Sequence, residues 1–169
     1  MKKIITVLFA VLAMSSMFAY MPNKKDVEKY GDCIVYTYKY KDIYGDKEKS
    51  YITYNTKTGE IYFSPYEDLK FLNKEYSVIA LCIQNTERMW EVADEARENY
   101  RMFIEIAERY RNYEKKTTSD KYGLKANLLL AKEIKEQFID EYPFFTEENW
   151  LTLTEEEWNK MAKDFLENN

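Results

Sequence analysis

The chain contains no histidine, two cysteines, four glycines and three prolines among 169 residues. Each scarcity excludes chemistry. Without histidine there is no Ser-His-Asp or Cys-His nucleophile of the usual form, and no histidine-bound zinc, copper or non-haem iron. Cys33 and Cys82 cannot supply a four-thiolate site, and they do not form a C-x-x-C pair. Glycines at 31, 45, 59 and 123 lie too far apart to build a phosphate-cradling loop or a dinucleotide fingerprint, and no calcium loop of the D-x-[DN]-x-[DN]-G form occurs. Neither a cofactor nor a metal ion is expected. A carboxylate-dependent reaction is the enzymatic option left.

Long apolar runs are also scarce. Ile4 to Met14 is uncharged and apolar, follows Met1-Lys2-Lys3 and precedes Ser15-Ser16-Met17-Phe18-Ala19. This three-part order is that of a secretory signal peptide. The run is shorter than the roughly 20 residues a bilayer requires. The expectation is a signal peptide over residues 1–19, cleaved after Ala19 or, as an alternative, near Ser15. Residues 20–169 then form one exported domain, periplasmic or secreted, with no membrane span after cleavage.

Charge is distributed unevenly. Residues 20–139 carry 21 basic and 21 acidic side chains, whereas residues 140–169 carry nine acidic and two basic ones. No basic stripe is present to follow a phosphate backbone, so nucleic acid is not an expected partner. An anionic membrane surface would repel the C-terminal segment.

The elements follow from periodicity. Residues 33–40 (CIVYTYKY), 51–55 (YITYN) and 60–64 (EIYFS) read as strands, rich in β-branched and aromatic residues. Asn55 to Gly59 fits a hairpin loop with Gly59 at positive φ. Pairing Tyr54 with Ile61 places Ile52, Tyr54, Ile61 and Phe63 on one, core-facing side. Ser64-Pro65-Tyr66-Glu67 carries the signature of a helix start. Apolar residues then recur at helical spacing as far as Ala107. A break is expected near Asn85-Thr86, with residues 76–83 open to either strand or helix. Lys115 to Tyr122 reads as a polar connection. Leu124 to Tyr142 is an amphipathic helix stopped by Pro143, and Thr154 with Glu157 caps a final helix bearing Trp158, Met161, Phe165 and Leu166. The fold expected is α+β: a small antiparallel meander over about residues 33–64, packed against a mostly helical C-terminal two-thirds.

Three groups are candidates for function. Export and an even cysteine count point to a Cys33–Cys82 disulfide. Tyr36, Tyr38 and Tyr40 alternate along one strand and share a face, which makes a solvent-facing tyrosine ladder the candidate binding surface. Glu91, Glu95 and Glu98, like Glu105 and Glu108, are spaced to share helix faces. Interleaved Arg97, Arg101, Arg109 and Arg111 make a solvated ion-pair face the simpler account. The function expected is an exported, non-catalytic binding or structural protein of the cell envelope, with an unidentified protein or envelope component as partner. A carrier of an apolar or aromatic small ligand and a carboxylate-dependent hydrolase are the alternatives.

Overall fold

The computed structural model describes residues 26–42, 44–67, 76–113 and 117–169. The expected signal peptide lies outside them. The fold is α+β, a four-stranded antiparallel sheet followed by three helices. The strands are β1 (Val27–Tyr30), β2 (Cys33–Lys41), β3 (Lys47–Asn55) and β4 (Ile61–Ser64), and they lie in the order β1-β2-β3-β4. The helices are α1 (Tyr76–Arg111), α2 (Thr118–Glu141) and α3 (Glu155–Glu167).

The β3–β4 hairpin has the expected register, with Tyr54 opposite Ile61 and Ile52 opposite Phe63. Its loop is set by Asn55, whose side-chain oxygen accepts from the N–H groups of Lys57 and Thr58, and by Gly59 at φ 79°. Strand β1 was not expected. It joins β2 through the two-residue Gly31-Asp32 loop, with Gly31 at φ 59°. Its exposed Glu28 and Lys29 give it no apolar alternation.

Helix α1 is one continuous element of 36 residues, so residues 76–83 are helical and no break occurs at Asn85-Thr86. Tertiary structure employs those two polar residues elsewhere. Helix α1 crosses the outer edge of the sheet. Thr86 Oγ1 accepts from the Phe63 N–H of β4 at 3.0 Å and donates to the Cys82 carbonyl one turn back at 2.8 Å. Asn85 donates to the Ser64 hydroxyl at 3.2 Å. The edge strand's outward N–H is thus satisfied by a helix side chain, and the edge is closed to further pairing.

This crossing puts α1 in contact with both faces of the sheet. Before Thr86, Val78, Ile79 and Cys82 pack with Cys33, Val35, Tyr51 and Tyr62. After it, Met89 and Ala93 join the larger cluster of Ile34, Tyr36, Ile52, Phe63, Trp150, Trp158 and Leu166 on the opposite face. Helix α2 returns antiparallel along α1 as a helical hairpin. It begins at Thr118, not after Gly123 as expected, because Thr117 and Asp120 form a reciprocal capping box. Gly123 therefore sits inside the helix. A Cβ there would lie 2.7 Å from the Tyr110 ring, and that close approach accounts for the glycine.

The segment after α2 closes the larger cluster. Phe144 takes a positive φ of 68°, and Asn149 caps a turn by accepting from the Thr146 N–H at 2.7 Å. Trp158 of α3 is fully buried, donates its indole N–H to the Pro143 carbonyl at 2.8 Å, and meets Trp90 and Phe144 edge-on. The Thr154–Glu157 capping box is formed as expected.

Candidate functional site

Tyr36, Tyr38 and Tyr40 do share one face of β2, but not a solvent-facing one. Tyr36 and Tyr38 are buried and Tyr40 is half-buried. The reason is the C-terminal half of the chain. Phe165 of α3 stacks edge-on to Tyr36 at 5.0 Å, and the Tyr38 hydroxyl donates to the Asp140 carbonyl at the end of α2 at 2.7 Å. These tyrosines join sheet to helices. Tyr40 stacks on Tyr38, and its hydroxyl is raised above its ordinary pKa by burial and then by the charges of Glu141, Glu48 and Asp42.

The cysteines need a correction as well. Cys33 and Cys82 lie buried in one cluster between β2 and α1, and no disulfide joins them. Burial, aided by the Asp32 charge, raises the Cys33 thiol above its ordinary pKa. A thiolate is the species that forms disulfides, and this environment disfavours it.

Arg97 likewise departs from the solvated-face reading. It is 9% exposed. Its Nε donates to the Trp150 carbonyl and a terminal nitrogen to the Leu153 carbonyl, both at 2.7 Å, and the guanidinium lies 5.9 Å from the centre of the Phe145 ring. Its role is to hold the 143–153 segment against α1. Glu91, Glu98, Glu105 and Glu108 remain exposed on α1.

Glu95 is exposed as well, but differs in its position. It lines an open cleft of about 190 Å³ between α1 and α2, together with Asn99, Gln137, Glu141 and Tyr142. Val92, Ala96, Ile134 and Phe138 form the apolar part of the lining. The cleft lies where α2 ends against β2, so it is positioned by the same packing that buries Tyr38. Burial raises the Glu141 carboxyl above its ordinary value, and the hydrogen bond from Tyr142 opposes this only in part. The Tyr142 hydroxyl is pushed upward by burial and then by Glu141, with Arg88 opposing. Asp140, adjacent, is also raised, by burial and by Glu136. Among the described residues, no lysine or arginine forms an ion pair with Glu95 or Glu141. No group of three or more Cys, Asp or Glu suited to a metal ion occurs among the described residues. None of the described helices is long and apolar enough to cross a membrane.

Sequence reading singled out Glu95 for its helical spacing but had no signal for Glu141. The two carboxylates are far apart along the chain and meet only through the α1–α2 pairing. The chain matches no protein-family model, no curated protein and no solved structure.

Proposed function

We propose that this chain is an exported, non-catalytic binding protein of the cell envelope, and that it engages a protein or envelope component at the α1–α2 cleft. One observation carries this reading: an open cleft in which two carboxylates without basic partners stand beside an apolar lining. Its volume of about 190 Å³ falls below the roughly 300–1,000 Å³ usual for enclosed small-molecule sites, which argues against the carrier alternative. An open, mixed surface suits recognition of part of a larger partner.

The hydrolase alternative has its own support. Glu95 and Glu141 share the cleft, and the proton affinity of Glu141 is raised by burial, as a general acid requires. Affinity capture from the native envelope fraction, using the mature chain and its Glu95→Lys and Glu141→Lys variants, separates the two. Species retained by the wild type and lost from both variants support binding at the cleft. Turnover of envelope glycans by the wild type, abolished in Glu141→Gln, would replace this reading with the hydrolase.

A further inference from the structure

The cleft is one end of a longer surface. On α1, Val92, Ala96, Asn99, Phe103, Ile106 and Tyr110 follow one another at intervals of three and four, and so lie on one face of the helix. On α2, Gly123, Asn127, Leu130, Ile134, Gln137 and Glu141 do the same. At the sheet end, members of both stripes line the cleft. At the far end the Tyr110 ring lies against Gly123, so the two stripes still adjoin there. Between these points Phe103 and Ile106 are half-buried, and Leu130 is 41% exposed. An apolar strip thus runs from the cleft along the paired helices. The distance from Val92 to Tyr110 along α1 is about 27 Å at 1.5 Å per residue.

At the sheet end acidic side chains outnumber basic ones. Glu95 and Glu141 line the sheet end, and Glu133, exposed on α2, falls on the same side by helical spacing. Arg88 is the cation that bears on this end, through Tyr142. Lys132 turns to Glu136 and Lys135 to Glu147, away from Glu95 and Glu141. We propose that the strip from the Glu95–Glu141 cleft to Tyr110 binds an amphipathic helix of a partner protein, its apolar stripe seated on Phe103, Ile106 and Leu130 and its basic side chains paired with Glu95 and Glu141. An apolar stripe read at i, i+3, i+4 and i+7 is what such a strip accepts, and charge complementarity selects a basic partner over an acidic one. The inference rests on the binding reading of the cleft and names its partner class.

The test is selection from a displayed library of helical peptides about 18 residues long, the length the strip spans, with every position free to vary. Binding of the enriched peptides is then measured by fluorescence anisotropy. Enrichment of Leu, Ile or Phe at helical spacing, flanked by Lys or Arg, is expected. Leu130→Asp and Glu95→Lys should each weaken binding at least about tenfold, while Tyr44→Ala, exposed on the β2–β3 turn and absent from the cleft lining, should leave it unchanged. Circular dichroism confirms that each variant is folded. Failure to enrich, enrichment of acidic peptides, or binding indifferent to Leu130→Asp overturns the proposal. So does a dimer in sedimentation that dissociates on Leu130→Asp, because the occupant is then a second copy. If peptides fail while cleft-dependent capture from the envelope persists, the partner class is wrong and the binding reading stands.

Discussion

Arg97→Met removes the guanidinium while keeping an unbranched apolar stem of similar length. Two short hydrogen bonds are lost, to the Trp150 and Leu153 carbonyls. Bonds from a charged donor contribute about 1.5–3 kcal/mol each, and a buried carbonyl left without a partner costs about 1–3 kcal/mol. Against this, the variant no longer holds a charge away from water, which recovers part of the loss. The net expectation is a destabilisation of about 2–4 kcal/mol, or a fall in Tm of roughly 6–15 °C for a chain of this size. Arg97→Lys should recover only part of that, because a single ammonium lacks the planar fork that reaches both carbonyls. Asp94→Ala should change little, since the Asp94 side chain is 76% exposed and its pairing with Arg97 is screened by water. Urea titration and calorimetry measure all three variants, and limited proteolysis should show new cleavage within 143–153 for Arg97→Met. If Arg97→Met lies within about 0.5 kcal/mol of wild type, the ordinary range for surface changes, water reaches these carbonyls and Arg97 does not hold the segment.

Trp158→Ala removes a fully buried indole and its bond to Pro143, and should cost about 3–5 kcal/mol; an unchanged Tm would mean that α3 is not part of the core. Thr86→Val should cost about 1–3 kcal/mol in urea titration by stranding the Phe63 N–H, with the β4 amides losing hydrogen-exchange protection first. The native protein should have the mass of two reduced cysteines, with alkylation of Cys33 and Cys82 slow until it is denatured; a mass lower by two hydrogen atoms would show a bridge. Glu141 is an acid whose folded pKa is raised, so the folded state holds its proton more tightly and ionisation destabilises it. Stability contributed by the protonated form is present below the unfolded value and lost as pH rises through the folded one. Glu141→Gln should therefore be more stable than wild type at pH 7 by denaturant titration, with the gain vanishing in acid below the ordinary carboxylate range.

What could be read in advance was local. The β3–β4 hairpin is specified by alternation and by one glycine that must adopt positive φ, and the last helix by its capping box. Misreadings arose where a distant element decided the matter. Asn85 and Thr86 look like a helix boundary, but their polar groups serve the edge of β4. Gly123 looks like a loop, yet it is a gap left for a tyrosine ring. Strand β1 has too few apolar residues to show a period of two, and Gly31-Asp32 was its one local sign. The alternation of Tyr36, Tyr38 and Tyr40 identifies a shared face but not its covering, because the chain also covers the other face. The cleft was the least legible feature, since Glu95 and Glu141 come together only when two amphipathic helices pair.

Helix α1 touches both clusters as a single rod, and this bears on how the protein comes apart. A helix cannot be cut in the middle without losing several consecutive hydrogen bonds, so disruption near Cys82 is transmitted to Ala93. The small cluster behind the sheet has few members and would open early if it stood alone. Coupled through α1, its amides should exchange with solvent at nearly the same opening free energy as those of the larger cluster. Opening of one cluster should then be accompanied by opening of the other, while the 143–153 segment and the β4 edge, each held by a few side-chain hydrogen bonds, can still loosen alone.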